Sequence, residues 1–203
     1  MKKCILAAAA AAALFPVIAS AQTEQFSGPR AQLDLAYDQL DANGDYFDLP
    51  QHFDTAQLGA TFGYDRVLAR GLILGAEIGF GVPLGGRENA KLGLDTVSVK
   101  PGRELTANVR VGATVTKSTL VFATIGYSNA GLKATYTSPA GATEDRTDYG
   151  ASKGGLLWGF GVEQAIGRRV FATLAFREAR YGDFPYEKGV KRTQIRAGIG
   201  TRF

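Results

Sequence analysis

Glu77, Arg110, Glu163, Arg177 and Arg196 are the residues of this chain with the clearest capacity for charge chemistry. Each lies in a segment where apolar and polar residues alternate, and each falls on the polar face. Carboxylates and guanidiniums gathered on facing surfaces form a salt-bridged polar core or line a narrow ion path, because an unpaired buried charge is costly. Asp34, Gln57, Asn108 and Gln194 share those polar faces and are expected to assist. A second candidate is Asp41-Ala42-Asn43-Gly44-Asp45, which has the D-x-N-x-D spacing of a calcium loop. Its sixth position is Tyr46 where glycine is required, and its twelfth is His52 where glutamate is required. Without flanking helices this reads as turn chemistry. No metal and no cofactor is expected.

The segments that carry the five charges are strands. Glu104 to Thr116 is the clearest: Leu105, Ala107, Val109, Val111, Ala113 and Val115 alternate with Thr106, Asn108, Arg110, Gly112, Thr114 and Thr116. A period of two gives one apolar and one polar face. The same period recurs at 30–38, 55–65, 72–80, 121–127, 156–163, 170–177 and 193–203. That makes eight strands, with the fifth running on toward Tyr136 after a break of parity near Asn129-Ala130-Gly131. Gly at 26 of 203 residues, and 12 Phe with 8 Tyr against one Trp and one Met, also point to an all-β chain.

Residues 1–21 are expected to be a cleaved signal peptide. Lys2 and Lys3 precede an alanine-rich apolar run, and Ala19-Ser20-Ala21 is a small-residue cleavage site. The fold is then residues 22–203, led by a short polar stretch from Gln22 to Pro29. Cys4 is the one cysteine, so the chain makes no internal disulfide. Without Lys2 and Lys3 the remaining 21 basic and 19 acidic residues leave a net charge of +2, which gives no reason to expect nucleic acid as a partner.

The connections between the eight strands alternate long, short, long, short, long, short, long. A soluble sandwich has no reason to sort its loops this way. An outer-membrane barrel does, with short periplasmic turns and long extracellular loops. In hydrocarbon every backbone polar group must be paired, so a sheet spans only as a closed barrel. The expected fold is an eight-stranded antiparallel up-and-down transmembrane β-barrel.

The motifs Leu58-Gly59-Ala60-Thr61-Phe62-Gly63-Tyr64-Asp65, Leu74-Gly75-Ala76-Glu77, Val121-Phe122-Ala123-Thr124-Ile125-Gly126-Tyr127 and Trp158-Gly159-Phe160-Gly161-Val162-Glu163, with terminal Phe203, carry a family likeness. In this order they resemble the small eight-stranded outer-membrane barrels: the outer-membrane-protein-A-like domain, the opacity-type adhesins and the alphaproteobacterial "porin family" surface proteins. The chain departs at Ala175, which precedes Phe176 where relatives often carry a glutamate. The resemblance implies an integral protein of a Gram-negative outer membrane. Its role would be structural or adhesin-like, its partners outer-membrane lipids, lipopolysaccharide and host or cell-surface ligands met through the long loops. It also implies that Phe203 is a signal read by the barrel-assembly machinery.

In a barrel of eight strands the interior is just wide enough for side chains to fill. Glu77 and Glu163 are therefore expected to pair with Arg110, Arg177 and Arg196 and to plug the lumen. The alternative is a narrow ion or small-solute channel. A third reading comes from two enzyme families that modify lipid A with a His and a Ser at the rim of such barrels; here His52, Asp95 and Ser98 are the matching residue types. No serine lies two residues beyond His52, and a charged interior offers no acyl pocket, so no enzyme is expected. Tyr64 and Phe203 should anchor the periplasmic rim, and Tyr37, Phe80 and Trp158 the outer one. Lys91, Lys100, Arg103, Arg146 and Lys153 are loop cations that read first as scattered surface charge, with contact to lipopolysaccharide phosphates as the alternative.

Overall fold

A sheet with one apolar and one polar face satisfies its backbone in a bilayer by curling until its first and last strands pair. The computed structural model describes residues 23–42, 52–69, 71–85, 88–92, 95–137, 146–181 and 190–203. Its strands are β1 (Gly28–Ala42), β2 (His52–Ala69), β3 (Leu72–Pro83), β4 (Glu88–Leu92), β5 (Asp95–Thr114), β6 (Thr119–Thr137), β7 (Arg146–Ala165), β8 (Val170–Tyr181) and β9 (Val190–Arg202). Eight of them close a ring in which every neighbour is antiparallel. The seam runs from Arg30↔Arg202 to Ala42↔Val190 between β1 and β9. β4 stands outside the ring and pairs with β5 alone, from Glu88↔Val99 to Leu92↔Asp95.

The expected alternation holds through the wall. Leu33, Ile78, Ile125, Phe160 and Ile199 are more than half exposed on the outer face. Ile73, Leu120 and Leu157, one residue out of phase with that face, are fully buried inside. The outer girdle residues Tyr37, Phe80 and Trp158 and the opposite-rim residues Tyr64 and Phe203 all face outward and are exposed. Phe176 lies between Trp158 and Phe160, with ring centroids 5.9 and 5.3 Å away. Among the described residues no helix is long and apolar enough to cross a membrane.

Three differences from the sequence reading matter. The stretch 81–103, expected to be a loop, contains β4 and the start of β5. β5, β6 and β7 run for 20, 19 and 20 residues, against 12 for β3 and β8, so these strands rise past the ring on one side. β7 meets β8 only from Gly155↔Tyr181 downward, while residues 146–154 continue on β6. Pro101 is tolerated within β5 because the register with β6 slips between Pro101 and Glu104, a bulge that frees the missing N–H from the ladder. The parity break expected near Asn129-Ala130-Gly131 lies opposite this bulge.

The third difference is at the short-turn end. Residues 23–26 form a single 3₁₀ turn whose Phe26 is buried against Ile73 and Leu120, with Val67 and Ala165 packed around them. Gly28 makes this possible: its φ of 110° folds the turn back under the barrel before β1 begins. What reads as a polar lead in sequence is a lid across that mouth.

Candidate functional site: the lumen

The inward positions of the barrel carry Arg30, Asp34, Asp38, Asp65, Glu77, Glu104, Arg110, Glu163, Arg177, Arg192, Arg196 and Arg202, each at most 5% exposed. Among the described residues these are six carboxylates and six guanidiniums, with no lysine. Arginine suits such a place: its fixed fork meets two acceptors at once and its planar cation stacks on rings. Arg110 lies 4.3 Å over the Phe122 ring, and Arg202 lies 5.2 Å over Phe171.

The charges are layered. Nearest the lid, Arg202 donates to the Phe26 carbonyl at 2.9 Å, to Asp65 at 2.9 Å and to Glu163 at 2.6 Å. Glu163 also accepts from Arg110 at 2.9 Å. Arg110 lies 3.5 Å from Asp65, and Arg30 lies 3.3 Å from the same carboxylate. Arg30 reaches on to Glu77, which takes Arg177 at 2.8 Å and Asn108 at 3.2 Å. These contacts form one unbroken chain from the short-turn mouth to mid-barrel. Arg196 makes a separate pair with Asp34 at 3.1 Å, where Thr61 and Gln32 also donate. Above it, both Asp38 oxygens accept from Arg192. Arg192 is also 3.5 Å from Glu104, which accepts from Ser128 and Gln194 at 2.8 and 3.1 Å. A second apolar cluster of Leu157, Ala179 and Tyr181, with Leu40 and Ala130, packs toward the long-loop end.

Glycine on the inner face is what lets arginines cross. A Cβ at Gly159 would meet Arg177 Cγ at 2.9 Å, and one at Gly75 would collide with the Asp65 carboxylate. Several buried polar atoms have no partner among the protein groups, including Arg177 Nε and Nη1, Gln57 Nε2, and the hydroxyls of Thr106 and Thr124. They are spread along the lumen, from Arg202 Nε beside the lid to Gln57 Nε2 at the level of Gln194.

Of the residues expected from sequence, Arg110 meets Glu163 and Arg177 meets Glu77, while Arg196 meets Asp34 and neither glutamate. Arg30, Asp38, Asp65, Glu104, Arg192 and Arg202 were not among the expected network. The signal was present: Asp65 is in phase with Gln57 and Thr61, Glu104 with Asn108 and Arg110, and Arg192 and Arg202 with Arg196. His52, Asp95 and Ser98 lie in β2 and β5 by their backbones, but their side chains are outside the described ones, as is residue 43–51 of the calcium-like loop. Among the described residues no group of three His, Cys, Asp or Glu is placed to hold a metal. A groove of about 520 Å³ lies on the outer wall instead, over Ala76 and Ala107 between Phe62, Ile78, Val109 and Ile125.

The family model of the outer membrane protein beta-barrel domain matches residues 7–203. The chain belongs to this family. Such a barrel is an integral protein of the Gram-negative outer membrane, with its short turns toward the periplasm and its long loops outside. Solved structures share the fold. The attachment invasion locus protein Ail of Yersinia pestis is 12% identical with a TM-score of 0.54, covering 87% of this chain and 99% of its own. Neisserial surface protein A is 17% identical with a TM-score of 0.54, covering 87% and 98%. OprG of Pseudomonas aeruginosa is 14% identical with a TM-score of 0.53, covering 87% and 97%. At these identities the likeness is one of fold. No curated protein matches the chain.

Proposed function

We propose that this outer-membrane barrel has a structural or surface-interaction role, with its lumen closed. The observation that carries the reading is the filled interior: six arginines and six carboxylates, buried and mutually paired, between the Phe26 lid and the Leu157 cluster. A transport route would have to part this network at several levels. The contact surface is then the long-loop end, where β4 to β7 rise beyond the ring and give the loops a sheet to stand on. Planar-bilayer recording tests the closed lumen: only brief, small openings are expected, and a large, steady, solute-passing conductance overturns it. Exchange of the loop after β6 for that of an unrelated barrel tests the surface role, with loss of cell or matrix binding as the expected result.

A second reading, a narrow water-lined path, draws on the unpartnered polar atoms at the level of Arg177, Thr106 and Thr124, since such buried groups call for water. It predicts conductance that rises in a Phe26→Gly variant. Two features serve export and assembly. Residues 1–21 act as the leader, on the strength of Lys2-Lys3, the alanine-rich run and Ala19-Ser20-Ala21; N-terminal sequencing of the exported protein should begin at Gln22. Phe203, 75% exposed at the end of the apolar face of β9, acts as the assembly signal. Deleting it should lower outer-membrane insertion, and unchanged assembly would sink that role.

A further inference from the structure

The net +2 of residues 22–203 is distributed unevenly. Among the described residues the lumen is neutral, six against six. The short-turn end is basic. Arg66 leaves the wall near the β2–β3 turn, Lys117 sits in the turn 115–118 between β5 and β6, and Arg168 and Arg169 sit in the turn 166–169 between β7 and β8. All four are exposed, and none joins the ion pairs made by the described residues. The carboxylates of that end are committed elsewhere. Asp65 and Glu163 are fully buried under Arg202, Arg110 and, for Asp65, Arg30, behind the Phe26 lid. Glu24 is the one other acidic side chain in the sequence of that end. The remainder of residues 22–203 is then net negative.

The depth of these cations is fixed by their neighbours. On the outer face Arg66 stands between Tyr64 and Leu68, 56% and 52% exposed to lipid. Arg168 and Arg169 stand between Ile166 and Val170, 64% and 41% exposed. Long cationic side chains flanking lipid-facing residues keep their stems in the apolar layer and their heads at the level of the phosphates. A ring of such heads adds favourable energy for each cation near an anionic leaflet.

We propose that the short-turn rim is a binding collar for anionic phospholipid headgroups of the periplasmic leaflet, with Arg66, Lys117, Arg168 and Arg169 as its phosphate contacts. This is independent of what the long loops bind. It is an electrostatic surface at the opposite end, with the Phe26 lid keeping the lumen acids from cancelling it.

The test uses the folded barrel in mixed micelles holding equal phosphatidylglycerol and phosphatidylcholine, with the retained lipid read by native mass spectrometry. The wild type should enrich phosphatidylglycerol by about fivefold or more, on the scale expected for several interfacial cations. The variant R66Q/K117Q/R168Q/R169Q should fall below about twofold. R103Q/R180Q/K191Q, altered at the other end, should keep the wild-type preference. No preference in the wild type, an unchanged preference in the four-site variant, or its loss in the long-loop variant overturns the proposal. So does capture of an acidic protein or of cell-wall polymer by the wild type with no lipid preference. Should the four-site variant fail to fold, the wild type in about 1 M salt decides, since charges are then screened within about 3 Å. Enrichment must vanish there, and its persistence counts against the collar.

Discussion

Glu77 holds two guanidiniums and an amide at once: Arg177 and Asn108 on one oxygen, and Arg30 on the other. A buried charge pair contributes little net stability against an apolar replacement of both partners, but removing one partner strands the other. Glu77→Gln should therefore cost about 3–5 kcal/mol, read as a lower midpoint in urea unfolding of the barrel in lipid vesicles. Asp34 and Arg196 offer a cleaner cycle, because Arg196 makes its only ion pair there among the described residues. Asp34→Leu and Arg196→Met should each destabilise, and the double variant should cost less than the sum by about 1–3 kcal/mol. Strict additivity would mean that the pair is not coupled. Gly159 enters the same account: a side chain there meets the Phe176 backbone carbonyl first and Arg177 Cγ next, so Gly159→Ala should strain the β7–β8 wall and loosen the Arg177 bond to Glu77, 2.8 Å long in the native barrel.

The strands answer to two solvents. Ile78, 63% exposed near the middle of β3, faces hydrocarbon, so Ile78→Arg should cost about 2–4 kcal/mol of folding stability in a bilayer. Ile166 is as exposed but lies at the short-turn rim, where the same change should cost about 0–1 kcal/mol. Equal costs would contradict the depth assigned to the two sites. The lid has its own test: Phe26→Ala should lose about 3 kcal/mol or more, as for a buried ring, and expose the 3₁₀ turn to proteolysis while the wall stays intact. This two-solvent rule also explains what could be read from the chain. Mid-strand parity was legible because one face is apolar and the other polar, as in Leu105 to Thr114. The starts of β5 (DTVSVKPGR) and β7 (RTDYGASKG) look like loops for another reason: Pro101-Gly102 interrupts the first, and the second has Tyr149 and Ala151 as its only apolar residues. Of the charged residues missed from the lumen, Arg30, Asp38, Asp65, Glu104 and Arg202 lie at or near the ends of the alternating segments, where the apolar face gives way to water, and Arg192 lies just before the last of them. Phe26 was illegible for a different reason: one aromatic in a polar stretch has no period, and its burial depends on the bend at Gly28 and on Arg202 from the far end of the chain.

At the scale of the whole molecule, the barrel is an inside-out protein whose apolar surface is its exterior and whose core is a neutral lattice of charge. Membership of the family and the shared fold set the place in the outer membrane; the filled interior argues against bulk transport. The seam adds something else. The Phe203 N–H bonds the Pro29 carbonyl at 3.0 Å, so the first and last strands finish side by side at one rim. Strand order in the ring is thus circular, and the covalent order is only one way of cutting it. A permuted chain, with the old ends bridged by a short linker and new ends opened in the turn 166–169, would retain every pairing of the native ring. Its last strand would be β7, ending at Ala165-Ile166 without an aromatic residue. If such a permutant folds in detergent yet fails to enter the outer membrane in cells, the information for closing the barrel and the information for delivering it are separable, and the second resides in the choice of which strand comes last.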